Sequence, residues 1–455
     1  MGAGLVVKAT SWIPVHRRHE LRNLATKSHQ VVVVAAVVGA VTGLFVAGFE
    51  RFVIDIAYDH IVRLRPWAIA ILPGIGLVVA VVARRMISPG TTAGTSDEYL
   101  HAFHDRHHEL GWRPFAARTV AALATLGSGV PMGLEGPSMY AGAVIGSNVQ
   151  RRLPRTFRDA DRRVLLVAGA AAGVAAIFKA PATGAVFAIE VPYQGDLARR
   201  MLLPALVASA TGYLTFVAIN GTAALFPIDG TPSFSIRDLL GAMGVGVVAG
   251  AVARGFSWML RHAKRLSSNR RPMLMTLGSG AALAAAFTIA RLMTGRSLLV
   301  GPGYDVVVWA SEPKRSIGII FAILCLRCFA TATAVAGGAT GGLFVPLVVA
   351  GALTGSIIGR AINHGDLTLF IVIGVAACLG AGYRVPLAAV VFVAETTGRP
   401  SFIVPGLLAA VAAELMMGAS SVTKLQQSAE VQREDALPQL RLGQENNDES
   451  ASPPP

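Results

Sequence analysis

The chain has 455 residues, 53% of them hydrophobic and only 15% charged, with 49 glycines and a mean hydropathy of +0.57. That balance excludes an ordinary soluble globular protein and predicts an all-α, polytopic membrane protein. The formal charge of +14 does not point to nucleic acid. Clusters such as Arg151, Arg152 and Arg155, or Arg261, Lys264 and Arg265, sit beside apolar runs, where Lys and Arg set membrane topology.

Residues 1–30 form a basic segment (Arg17, Arg18, Arg22) that predicts a cytoplasmic N-terminus in a cell inner membrane. The cluster follows a weakly apolar start rather than preceding an apolar core, which argues against a cleaved signal peptide. Val31–Phe49 and Pro66–Ala83 carry no charge and are the first two spans. Ser88–Trp112 is polar and holds His101, His104, His107 and His108. A helix would put His104 and His108 on one face. No third partner stands at a known ligand spacing, so the stretch is read as a solvated inter-span loop, with no metal and no cofactor expected.

Next comes Gly127–Ser147, GSGVPMGLEGPSMYAGAVIGS, with a single carboxylate, Glu135, in uncharged surroundings. Glycines let the backbone turn, and Pro137 suits a first helical turn. A helix begun this way aims free N–H groups and a positive dipole end at what precedes it, which favours an anion. Glu135 sits where such an anion would sit. A carboxylate at membrane depth is costly and therefore a functional candidate.

Further charge-free runs are Met201–Pro227, Met273–Ala290 and Cys328–Gly359. Roughly ten to fourteen hydrophobic segments of about 20 residues or less are expected. Many contain Gly or Pro, and backbone breaks at membrane depth survive only inside protein or beside a wet cavity. Cys325, Cys328 and Cys378 all lie in apolar runs, and the Cys325-x-x-Cys328 pair has no second pair. They are read as small buried side chains. Residues 426–455 are polar and acidic and are read as a disordered tail.

The Gly127–Ser147 pattern recurs. Gly133–Ser147 shifted by 209 positions lies over Gly342–Ser356 with eight identities in fifteen. Gly169–Glu190 shifted by 205 lies over Gly374–Glu395 with eight in 22. Pro137/Pro346, Pro181/Pro386, Phe187/Phe392 and Glu190/Glu395 match in order. Two homologous halves, about 31–225 and 235–420 within a transmembrane domain 31–425, explain this. Halves of this kind face one another with broken helices at the midplane, their N-termini aimed at an anion. Lys179 and Arg384 also match, each two residues before a proline. They can raise the potential of an anion path or neutralise carboxylates, and the second reading is preferred.

At these motifs the chain resembles the CLC family of chloride channels and chloride/proton antiporters. Thr125–Pro137, TLGSGVPMGLEGP, is similar to that family's GREGP segment, and Gly342–Pro346, GLFVP, to its GxFxP motif. The likeness covers nearly all of 30–420 and implies an inverted-repeat homodimer of tilted and broken helices. It implies that Glu135 is the gating, proton-accepting glutamate, competing with the transported anion for one set of amide donors. It further implies an anion site built from Gly136 and the backbone of Leu343 and Phe344.

Several positions depart from the family pattern. Its GSGIP serine stands about forty residues before the gate, where this chain has Ala93–Asp97, so Thr95 or Ser96 is the expected hydroxyl ligand. Leu134 replaces the arginine of GREGP. No tyrosine follows Tyr383, which leaves Thr423 to stand for the family's late tyrosine ligand. Val191 stands where antiporters of the family often carry an internal proton-accepting glutamate. The expected function is transport of chloride or a similar small anion, with channel and proton-coupled modes both open. Alternatives are a fluoride/proton antiporter of the same family and a cation-coupled solute transporter. An enzyme is not expected: no nucleophile–base or P-loop pattern is present.

Overall fold

The computed structural model describes residues 15–105, 107–153, 163–223, 235–268, 271–362, 367–423 and 425–428, with side chains in the first helix from residue 30 onward. The chain is all-α. Helix α1 (Val15–Arg51) continues through a π-helical segment, Phe52–Tyr58, to Ile61. It is followed by α2 (Pro66–Ile87), α3 (Ser96–His104), α4 (Trp112–Gly127), α5 (Glu135–Arg152), α6 (Arg163–Phe178), α7 (Pro181–Glu190) and α8 (Leu202–Asn220). The second half holds α9 (Ile236–Ser267), α10 (Pro272–Thr294), α11 (Tyr304–Ser311), α12 (Ile317–Ala336), α13 (Phe344–Ala361), α14 (Leu367–Tyr383), α15 (Pro386–Thr397) and α16 (Ile403–Met417). Among the described residues eight helices are long and apolar enough to cross a membrane, and α6, α14 and α15 are shorter apolar helices.

Burial divides these helices into a core and a shell. Helices α6, α13 and α14 are buried along nearly their whole length, as is α5 from Glu135 to Ile145. A helix apolar on all sides belongs inside other protein. The shell helices α1, α2, α9, α10 and α16 turn large apolar side chains outward; Leu292 is 82% and Leu415 81% exposed. Such surfaces are stable only against lipid.

Features at matched positions recur in the two halves. Helix α5 packs on α6 at Gly142 and Gly169, and α13 packs on α14 at Gly351 and Gly374. A Cβ on any of these four would strike the carbonyl of its opposite glycine, so only glycine allows the close approach. Among the described residues, Lys179 and Arg384 are the two non-glycine residues with positive φ, +54° and +57°. Each ends a helix in a left-handed cap, with the next residue donating to a carbonyl five back: Ala180 N to Ala175 O, 3.1 Å, and Val385 N to Gly380 O, 2.9 Å. A proline-started helix follows each cap. The two side chains are spent on anchoring. Lys179 Nζ donates to Ala223 O, and Arg384 pairs with Glu414 Oε1 at 2.9 Å.

Glu190 and Glu395 cap across the halves. Glu190, at the end of α7, accepts from Leu387 and Ala388 N–H at the start of α15 (3.0 and 2.7 Å). Glu395, on α15, accepts from Ala182 and Thr183 N–H at the start of α7 (2.9 and 2.6 Å). Each carboxylate meets the orphan donors and positive dipole end of its opposite helix.

Three expectations are corrected. Ser88–Trp112 is not simply a solvated loop, because α3 lies within it and buries Tyr99, Leu100, Ala102 and Phe103. Helix α3 ends at His104, so His104 and His108 do not share a helical face. Cys325 is exposed, unlike Cys328 and Cys378, because it lies on the outward side of α12. Helix α1 runs through 30/31 without a break, while residues 1–14 lie outside the described residues. Packing continues past 425. Gln426 is buried, and Gln427–Ser428 pair in parallel with Tyr193–Gln194, whereas residues 429–455 of the tail lie outside the described residues.

Candidate functional site

The loops preceding α5 and α13 meet at the centre. Gly133 and Gly342 bond as an antiparallel bridge, with Gly133 N donating to Gly342 O (3.0 Å) and Gly342 N to Gly133 O (2.7 Å). The bridge brings two helix N-termini together. Glu135, 3% exposed, extends across it and takes the Phe344 N–H on Oε1 at 2.7 Å. Its oxygens lie against the α-carbons of Gly133 and Gly342, where a Cβ would displace them. Oε2 is buried with no side-chain or backbone hydrogen bond from another residue. The carboxylate thus caps the start of α13, held by a backbone donor of the kind that suits a small anion.

Beside Glu135 a cavity of about 350 Å³ opens. Thr95, Ser96, Leu343, Tyr383 and Thr423 line it, with Lys264 and Asp97 among the charged residues. Thr95, the residue before α3, is 2% exposed, and its hydroxyl has no protein partner. A buried, unpartnered hydroxyl is costly unless a ligand or water completes it. It lies against Gly136, where a Cβ would come within 2.5 Å of Oγ1 and 2.9 Å of Gly342 Cα. Cavity and carboxylate are therefore neighbours, because Leu343 faces the one and the Phe344 N–H the other. Thr423 is also buried, but its hydroxyl already lies 3.3 Å from Ser421 Oγ. The Lys264 ammonium is balanced by Asp97 at 2.7 Å.

The structure brings together every residue named from sequence: Glu135, Gly136, Thr95, Ser96, Leu343, Phe344 and Thr423. It adds Tyr383, the last residue of α14, which lines the same cavity as Ser96 and Leu343. The place left to Thr423 in the sequence reading thus has a tyrosine beside it. The left-handed cap at Arg384 ends α14 at the cavity wall, a geometry that counting from the C-terminus could not supply. One signal was available: in the repeat Tyr383 matches Phe178, so one aromatic of a matched pair carries a hydroxyl.

Phe344 does more than pack. Its ring sits among Phe178 (4.4 Å between centroids), Phe392 (4.9 Å), Phe187 (5.4 Å) and Tyr383 (6.3 Å). This apolar plug fixes the start of α13, and with it the N–H that Glu135 uses. By contrast, Ser128 of the GSGVP sequence bonds Thr125 O and does not line the cavity. Val191 is fully buried, and its carbonyl accepts from Gln426 Nε2 (2.9 Å), which also donates to Tyr383 O (2.6 Å).

A buried network supports α3 from below. Arg118, on α4, pairs with Glu98 of α3 and donates to Tyr140 Oη of α5 (2.8 Å) and to Thr92 O and Oγ1 (3.1 Å each). It ties the helix led by Thr95 to the helix led by Glu135. Sequence reasoning missed it, because its members come from separate elements.

The family profile described as voltage gated chloride channel matches residues 75–418. Among curated proteins, the H(+)/Cl(-) exchange transporter ClcA of Citrobacter koseri is 27% identical over 414 residues, covering 85% of each chain. ClcA of Salmonella paratyphi B is 26% identical over 437 residues, covering 89% of each. Among solved structures, a CLC-type fluoride/proton antiporter aligns with a TM-score of 0.76 at 20% identity, over 88% of this chain and 98% of that one. A slow cyanobacterial Cl-/H+ antiporter aligns with a TM-score of 0.74 at 20% identity, over 85% and 94%. These last two likenesses are of fold.

Proposed function

The chain belongs to the voltage-gated chloride channel family, and on that premise we propose that this multi-pass membrane protein exchanges a small anion for protons through a path gated by Glu135. The observation that carries this reading is the position of the Glu135 carboxylate on the Phe344 N–H, next to a cavity whose Thr95 hydroxyl has no protein partner. Ionised, Glu135 holds the amide donors and blocks the path. Protonated, it loses most of its hold on N–H groups and yields them to an anion arriving from the cavity. The anion is then held by the Leu343 and Phe344 amides, by Thr95, Ser96 and Tyr383, and by the dipoles of α3 and α13.

Val191 cannot relay a proton. A cavity of about 350 Å³ holds about ten waters at about 30 Å³ each, so water along Ser96 and Tyr383 supplies protons near the gate without a carboxylate at 191. The relatives named as H(+)/Cl(-) exchangers support the coupled mode over a simple channel. The cavity mouth carries Lys264 at the end of α9, beside basic residues 261 and 265, which supports a cytoplasmic opening and a cytoplasmic N-terminus in the inner membrane. A homodimer with one path per subunit is the assembly proposed.

The test is efflux of chloride and, separately, fluoride from liposomes holding the purified protein. Chloride efflux above that of empty liposomes is expected. Fluoride efflux with none of chloride would replace the substrate. Efflux of neither from folded protein would overturn the reading.

A further inference from the structure

The cavity mouth carries a second cluster that anion transport does not use. Glu98 and His101 of α3 and His108 beyond its end each offer one ligand atom, all within 4.8 Å of one another. His108 Nε2 lies 2.6 Å from Glu98 Oε1, and the imidazoles of His101 and His108 stack with centroids 4.0 Å apart. Glu98 and His101 both line the cavity. We propose that Glu98, His101 and His108 form a binding site for a divalent transition metal of the zinc class, which clamps α3 to the segment carrying His108 and slows anion passage through the mouth.

The donor set selects the metal. Two imidazoles and one carboxylate suit zinc and its neighbours, whereas calcium and magnesium take oxygen ligands in larger number. Three protein ligands leave a fourth tetrahedral position for water. Ligands about 2 Å from zinc stand about 3.3 Å apart in a tetrahedron, so closing the cluster needs only small side-chain movements. His101 is 48% exposed at its side chain and His108 26%, which gives them that freedom and leaves a way in for the ion.

The outer shell is already built. The other oxygen of Glu98 is held by buried Arg118, itself fixed by Tyr140 and Thr92, so the carboxylate is aimed and one oxygen remains for the metal. Asp105 stands 3.9 Å from His101 Nε2, in place to orient that ring. Outer partners of this kind position ligands and strengthen binding. Helix α3 ends at His104, and the chain then returns to bring His108 against Glu98 of its first turn.

Zinc binding is measured by calorimetry on the full-length protein, stripped with chelator, with zinc chloride as titrant and magnesium chloride as control. One zinc per chain is expected and no magnesium. His101→Ala and His108→Ala should each weaken zinc roughly tenfold or more, while His262→Ala, outside the cluster, should not. Absence of saturable zinc binding, or affinity unchanged in both cluster variants, overturns the site. The effect on passage rests on the proposed anion transport and is read separately. Zinc should slow wild-type chloride efflux, chelator should restore it, and His108→Ala, which lies outside the cavity lining, should transport at the wild-type rate with or without zinc. Wild-type efflux indifferent to saturating zinc overturns the clamp. Efflux absent before zinc is added counts against the transport reading instead, and zinc-free efflux by His108→Ala shows that the variant folds.

Discussion

Replacing Glu135 by glutamine keeps the side chain's shape and removes its charge. The Phe344 N–H then meets an amide oxygen rather than a carboxylate. A hydrogen bond to a charged group contributes about 1.5–3 kcal/mol, about twice a neutral one. The substitution therefore weakens the gate's hold by about 1–1.5 kcal/mol through that bond alone. With tenfold for every 1.4 kcal/mol, a competing anion gains about five- to tenfold in apparent affinity. A side chain that cannot take up a proton also makes anion passage independent of pH. The assay is chloride efflux from liposomes across a pH series, with calorimetry for anion affinity. Wild-type efflux should rise as pH falls, because protonation releases the gate. Glu135→Gln should be fast and flat across the series. A pH dependence in Glu135→Gln equal to that of the wild type would refute the gating role.

Thr95→Val removes a hydroxyl that has no protein partner, so it should weaken anion binding severalfold in calorimetry while leaving thermal stability unchanged or raised. Tyr383→Phe should lower anion affinity in the same assay by roughly tenfold or less, the worth of one hydrogen bond to a charge, with little change in melting temperature. Glu395→Ala strips α7 of a cap made by two backbone N–H groups and should cost about 2–4 kcal/mol of stability. Thermal unfolding in detergent would register it, and the anion preference of protein that remains folded should be unaltered. His104, outside the spans, is held below the ordinary imidazole value by burial, although its bond to Pro192 O works in the opposite direction. The folded state therefore resists charging this ring. Stability from this source is full above about pH 6.5 and declines as pH falls below it. His104→Gln should flatten that decline in unfolding measurements between about pH 7 and 5.

Much of the architecture was legible because the bilayer restricts the choices. Charge-free runs marked the spans, and the matched Pro137/Pro346 and Pro181/Pro386 marked helix starts, since proline fits a first turn and little else in a helix. Glu135 stood out as a lone carboxylate in an apolar, glycine-rich stretch. What escaped was everything that depends on where chain ends meet in space. Tyr383 enters the cavity because the cap at Arg384 stops α14 there, and a left-handed arginine leaves no mark in composition. Helix α3 was hidden because its four buried residues alternate with histidines and acids, so a polar average concealed an apolar face. The Arg118–Glu98–Tyr140 network joins residues that sequence spacing does not relate, and His108 meets Glu98 only because the chain turns back after α3. Cys325 looked buried because an apolar run facing lipid and one facing protein read alike.

The most direct test of the account is the reversal potential of the purified protein in liposomes under opposed chloride and pH gradients, for the wild type and for Glu135→Gln. The account predicts that a pH gradient shifts the wild-type potential away from that of chloride, and that Glu135→Gln follows chloride alone. A wild-type potential that follows chloride alone, or one shifted by pH to the same extent in both proteins, would contradict it.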